Sequence, residues 1–267
     1  MRSFDYIESG KTLLTPHTTS LLAAIHEAKG RQSIQTTIRP DILGTLVAVA
    51  RIQSTDASNR IEGISTSDSR LNDLVSEKVT PRNRNEEEIA GYRDALSVIH
   101  ESHDYIPITP NVILQLHRDL FRHTPLTFAG HFKDSDNVII ERDAHGTSTV
   151  RFAPPSALVT PELIERACSA YTQAIRDGHT DPLLAIAMFI LDFTCIHPFN
   201  DGNGRMSRLL TLLMLCRNGY MVGKYISIEH LIEQSKSTYY EALAASTQGW
   251  DCLLYTSPSP RDVEESR

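Results

Sequence analysis

No apolar run in the 267 residues approaches the roughly 20 needed to cross a bilayer; the longest, residues 183–191, falls well short. No basic start followed by an apolar stretch marks a secretory signal over residues 1–15. Basic residues are in deficit. The net charge of −7 argues against a face that coats nucleic acid or an anionic membrane. Cysteine is scarce and scattered: Cys168, Cys195, Cys216 and Cys252 form no C-x-x-C pair, so neither a disulfide framework nor a zinc site is expected. The first three sit in apolar helical stretches and read as buried, reduced thiols. With 40% hydrophobic and 22% charged residues, the chain is neither collagen-like nor wholly disordered. The expectation is a soluble, cytoplasmic protein with ample core for one large domain or two modest ones.

What is present is helical punctuation. Thr160-Pro161-Glu162 reads as N-cap, first-turn proline and first-turn acid, opening a helix over 163–177 that stops at Gly178. Thr109-Pro110 opens 112–121 in the same way, with apolar Val112, Ile113, Leu116 and Leu120 at helical spacing. Asn85 and Glu86 to Glu88 place acids in the first turn of a helix running through Ile99. Asp181-Pro182 starts an almost wholly apolar stretch through Phe193, expected to be buried on most sides. Residues 206–216 repeat that character and end near Asn218-Gly219, and 227–245 read as two amphipathic helices or one bent one. The exception is 130–155, where Val138-Ile139-Ile140 and Thr149-Val150-Arg151-Phe152 flank turn-forming residues 143–146. A lone hairpin on a helical body has unpaired edges, so it either packs or pairs with something else. The fold class is mainly α. Residues 252–262, CLLYTSPSPRD, read as the translation of a sequencing adapter, so native sequence is expected up to about Asp251 and 252–267 are set aside.

The informative stretch is His197-Pro198-Phe199-Asn200-Asp201-Gly202-Asn203-Gly204-Arg205-Met206-Ser207-Arg208. An apolar helix ends at a histidine and a proline, and a Gly-Asn-Gly turn feeds the N-terminus of the next. Small residues let successive backbone N–H groups converge, and the helix dipole adds positive potential there: an anion nest suited to phosphate. Arg205 and Arg208, three apart, are expected to share a face and grip further phosphate oxygens. Asp201 beside the nest is a natural anchor for Mg²⁺ among phosphates. His197, titrating near neutral pH, is the candidate base for an incoming hydroxyl. Phe199 reads as an apolar anchor for the loop. Jointly these parts specify phosphoryl or nucleotidyl transfer. His117 and His131 have no spacing that assigns them chemistry.

This stretch resembles the Fic family signature, H-P-F-x-[DE]-G-N-[GK]-R-x-x-R, with every fixed position matched. The glycine at 204 is similar to the adenylyl-transferring branch; lysine there marks the Doc-type branch, which uses ATP as a kinase does. The resemblance implies a helical Fic core over 96–251 with a β-hairpin flap at 130–155, after an N-terminal helical region, 1–95. His197 would be the general base and Asp201 the Mg²⁺ ligand. Gly202, Asn203, Gly204 and Arg205 would cradle the phosphates of ATP, leaving AMP on a Ser, Thr or Tyr hydroxyl of a target protein. The flap would align that target as an added strand. Upstream, Ser58-Asn59-Arg60-Ile61-Glu62-Gly63 resembles the family's inhibitory motif, [ST]-x-x-x-E-[GN], on a short helix at about 55–63. The resemblance implies that Glu62 pairs with Arg208 and occupies the place of the γ-phosphate. Tyr239 and Tyr240 match a tyrosine pair that lies near the nucleotide base in some relatives. Two other functions remain open: removal of AMP from a modified protein at the same site, and a non-catalytic nucleotide-binding regulator. A homodimer is one assembly left open; nucleic acid is not an expected partner.

Overall fold

A computed structural model describes residues 3–38, 40–142 and 148–250. In order these form α1 (Tyr6–Leu13), α2 (Pro16–Ile38), α3 (Pro40–Ile61), α4 (Asp68–Val75), α5 (Arg84–Ser102) and α6 (Pro110–Leu120). The strands β1 (Ile139–Arg142) and β2 (Ser148–Phe152) follow, then α7 (Thr160–Asp177), α8 (Pro182–Ile196), α9 (Asn203–Arg217), α10 (Val222–Tyr225), α11 (Ile228–Gln234) and α12 (Lys236–Ser246). The protein is mainly helical. The strands pair antiparallel, Ile140 opposite Val150 and Arg142 opposite Ser148. The turn expected at 143–146, the adapter reading of 252–267 and Cys252 all lie outside the described residues. Among the described residues no helix is long and apolar enough to cross a membrane.

The helices start where their capping chemistry allows. The hydroxyl of Thr109 accepts the N–H of Val112, the carboxylate of Asp181 accepts that of Leu183, and Asn83 accepts that of Glu86, each just ahead of an apolar run. Thr160 departs from expectation. It lies inside α7, its hydroxyl donating to Ser156 O, because a 3-10 turn at Ala157–Val159 leads into the helix, with Ala157 O accepting the Thr160 N–H. The stripe Leu163, Ile164, Ala167, Cys168, Tyr171 and Ala174 then faces inward. Each large side chain so buried contributes roughly 1.5–3 kcal/mol.

α8 is the pivot, packed between α7 and α9 with α1 crossing it. Phe189, Phe193, Cys195 and Ile196 are fully buried, yet Ala187 is exposed and Leu183, Ile190 and Leu191 are half-buried, so one face of this helix stays open. α9 is buried almost throughout. Buried Asp192 on α8 accepts the Tyr6 hydroxyl at 2.8 Å and the Trp250 indole N–H at 2.6 Å, tying both ends of the described chain to the central helix. Cys168, Cys195 and Cys216 are buried and unbridged, as expected.

Candidate active site

The loop between α8 and α9 is built from opposed constraints. Its first residue, His197, has a left-handed backbone (φ 50°) and donates its N–H to Phe193 O, ending α8 in a conformation that side chains rarely adopt and that clusters at functional sites. Its last, Gly202, also has positive φ (82°), and an added Cβ would sit 2.8 Å from the Phe121 ring, so only glycine fits. No side chain caps α9 at Gly202, which leaves the first-turn N–H groups aimed out of the helix. Between them, Phe199 is fully buried and Asn203 closes a bracket around it. Asn203 Oδ1 accepts the Phe199 N–H at 3.0 Å, and its Nδ2 donates to Phe199 O at 2.8 Å. The side chain of Asn203 therefore shapes the cradle, and its backbone is the part left to face a phosphate.

His197, Asn200, Asp201, Gly202, Asn203, Gly204, Arg205 and Glu62 line one cavity of about 150 Å³. Burial pushes the His197 imidazole down to about 4, with the nearby Lys133 ammonium adding to the effect; a backbone hydrogen bond at Thr194 and the charge of Glu62 oppose it. The expected titration near neutrality is thus corrected: tertiary burial keeps this ring unprotonated at pH 7. Asp201 is partly exposed at the mouth, its Oδ1 accepting the Gly202 N–H at 2.6 Å. Arg84 and Arg205 stand 3.5 and 3.6 Å from its two oxygens. Among the described residues no three His, Cys, Asp or Glu side chains converge. A lone carboxylate beside a phosphate nest suits Mg²⁺, which takes one or two carboxylates and fills its shell with phosphate and water.

Arg205 and Arg208 are held by different acids. Arg205 is 1% exposed, donates to Glu88 at 2.6 Å and lies over the Phe121 ring. Its Nε has no hydrogen-bond partner among the described residues. Arg208, also buried, turns to the other side: Nε donates to Ser58 Oγ at 2.8 Å, and NH2 donates to Ser58 O at 2.9 Å and Glu62 Oε1 at 2.7 Å. Helical spacing puts both on α9, but the acids that neutralise them come from different helices, α5 and α3. Glu88 itself sits between Arg205 and Arg84, with Arg84 Nε donating to it at 2.8 Å. Removing one member of such a buried set strands a charge, so Glu88→Ala is expected to cost about 3–5 kcal/mol of stability. A lowered urea midpoint at unchanged slope checks this.

The expected short inhibitory helix is instead the last turn of the 22-residue α3, with Glu62 just past its end. Glu62 and Gly63 donate their N–H groups to Asn59 O and Arg60 O, and Gly63 takes φ 79°. That left-handed closing residue explains why glycine or asparagine must follow the glutamate. The turn is braced from outside: Lys236 donates to Ile61 O at 3.1 Å and Arg60 pairs with Glu233 at 2.9 Å.

Tyr239 lines a second, largely apolar cavity of about 480 Å³ under the open face of α8, which Arg208 also lines. Tyr240 packs edge-on against Tyr239, with ring centroids 5.5 Å apart, and lines neither cavity. Sequence reasoning missed His117. Its ring is fully buried and stacks on Phe199 at 3.7 Å; Nδ1 accepts the Gly130 N–H at 2.9 Å, so Nε2–H donates to Asp201 O at 3.1 Å. Burial pushes it down to about 4, which keeps this tautomer neutral. No signal along the sequence marks it, since its partners lie 13 and 84 positions away.

Residues 107–215 match the Fic/DOC family. Over 90 residues the chain is 37% identical to a Fido domain-containing protein of Dictyostelium discoideum, covering 32% of this chain and 58% of that one. Over 145 residues it is 28% identical to protein adenylyltransferase fic-1 of Caenorhabditis elegans, covering 51% of this chain and 25% of that one. The chain thus spans less than two thirds of either relative. A Fic domain-containing signaling protein of Bacteroides thetaiotaomicron shares the fold, with a TM-score of 0.69, 24% identity and coverage of 82% of this chain and 80% of that one.

Proposed function

We propose that this chain, whose residues 107–215 form a Fic/DOC family domain, transfers AMP from ATP to a Ser, Thr or Tyr hydroxyl of a protein and is restrained by Glu62. The observation that carries the reading is a single cavity walled by His197, by the Gly202–Arg205 nest and by a glutamate that Arg208 holds in place. In the transfer, the unprotonated imidazole of His197 takes the proton of the acceptor hydroxyl. That oxygen bonds to the α-phosphorus, the bond to the bridging oxygen breaks, and pyrophosphate leaves. The first-turn N–H groups of α9 stabilise the charge that builds on the phosphate oxygens, already oriented and so at no reorganisation cost. Mg²⁺, when bound, would be held by Asp201 and phosphate oxygens and supplies charge neutralisation. The β1–β2 edge is the proposed seat for the target backbone.

ATP labelled at the α-phosphate, incubated with the Glu62→Gly protein and a lysate, is expected to leave label and an AMP mass on hydroxyl side chains. No label from this ATP, with or without label from a parallel γ-labelled ATP, overturns the reading. A second activity, hydrolysis of AMP from a modified target, has its own support. Glu62 Oε1 is paired with Arg208, while Oε2 has no hydrogen-bond partner among the described residues and can accept from a water beside the site. Incubation with an AMP-modified protein reads this directly, because AMP release lost in Glu62→Gly assigns it.

A further inference from the structure

The last residue of α8 and the first four of the α8–α9 loop are held by one five-residue segment. The backbone N–H of Lys133 donates to Pro198 O at 2.8 Å, and its ammonium donates to Ile196 O at 3.1 Å. Asn137 Nδ2 lies 3.5 Å from His197 O and 3.3 Å from Phe199 O, and Asn200 Nδ2 donates to Asp134 at 3.2 Å. The Lys133 ammonium also donates to Asn137 Oδ1 at 3.0 Å, so the two side chains fix each other. On its far side the segment is anchored as well, Asp136 accepting the Ala157 N–H at 2.7 Å beyond β2. It runs directly into β1, which begins at Ile139.

A lysine 3% exposed is a costly choice for a surface loop unless its charge or reach is used. Burial lowers its ammonium to about 8, against the pull of Asp136, so it remains largely protonated at pH 7. Its reach is used at the carbonyl that precedes the left-handed His197, the one residue of this loop besides glycine that needs holding in an unfavourable conformation.

We propose that Lys133, with Asn137, is a positioning residue for AMP transfer: it fixes the backbone of His197 and couples that backbone to the strand where the target seats. This rests on the reading given under Proposed function.

The test uses the Glu62→Gly protein as parent. Lys133→Met should lower kcat by about 10–100-fold, the range for removing a residue that orients a reacting group, with KM for ATP within about twofold because the nest is untouched. Of the two charged groups that act on the His197 ring in the unaltered chain, Lys133 and Glu62, the parent keeps Lys133. Loss of the Lys133 charge should therefore move the acid limb of the pH–rate profile upward. Lys133→Arg should recover both kcat and the acid limb, and Asn137→Ala should reproduce the kcat loss with the acid limb in place. Unchanged kcat in Lys133→Met and Asn137→Ala overturns the proposal, as does an Arg variant no better than Met. Should the parent transfer no AMP, the functional reading fails by itself. The titration of His197 followed by NMR then still decides: an upward shift in Lys133→Met supports the coupling, and no shift sinks it.

Discussion

Glu62→Gly should raise ATP-dependent labelling about tenfold to a hundredfold over the unaltered chain. The carboxylate is joined to Arg208 at 2.7 Å, and under the proposed function productive binding of a triphosphate has the arginine exchange that partner for a phosphate. A hydrogen bond to a charged group contributes roughly 1.5–3 kcal/mol, and about 1.4 kcal/mol is a factor of ten. Arg208 is 4% exposed but Glu62 is 33% exposed, so solvent screens one end and the lower part of the range is favoured. Ser58 stays in place in this variant and goes on holding the guanidinium, so the arginine is released from its acid without losing its orientation. Initial rates with ATP in excess measure the effect. A rate unchanged or lowered would remove the inhibitory role from Glu62.

In that released background, His197→Ala should cut transfer by about 10²–10⁴-fold, the usual contribution of a positioned base. Alanine is strained by about 1–2 kcal/mol at φ 50°, so His197→Asn, better tolerated in that region, separates lost chemistry from lost folding: both variants should be inactive, and both should still bind Mg²⁺-ATP by calorimetry. The pH profile of the parent carries a sign. A ring held near 4 is already a base at neutral pH, so lowering the pH from 7.5 to 5.5 should not protonate it, and transfer should fall only as the pH nears 4. An acid limb at the ordinary histidine value of about 6.5 would mean the ring is solvated rather than buried.

Much of this was legible in the sequence because it is local. Thr109, Asp181 and Gly178 mark helix ends through contacts a few residues away, and the Gly-Asn-Gly turn announces itself by composition. The Glu62–Arg208 pair was reachable only because a motif names both partners across 146 positions. What stayed hidden depends on tertiary neighbours. The partner of Arg205 is Glu88, 117 positions earlier, which reads along the chain as nothing more than a first-turn acid. The extent of α3 was missed because the motif marks only where it ends. The state of His197 follows from burial and from Lys133, neither of which spacing encodes. The place of the tyrosine pair was equally hidden: the turn between α11 and α12 sets Tyr239 in the apolar cavity that Arg208 also lines.

An ideal Cβ placed on Gly204 would overlap Glu62 Oε1 and come within 3.3 Å of Arg208. The floor of the nest and the plug that covers it therefore compete for the space of a single methyl group. A larger side chain at 204 would swing the flexible carboxylate aside before it disturbed any backbone, slackening the plug while narrowing the seat it guards. Under the proposed function, throttle and seat are machined against one another here, so neither can be re-cut alone.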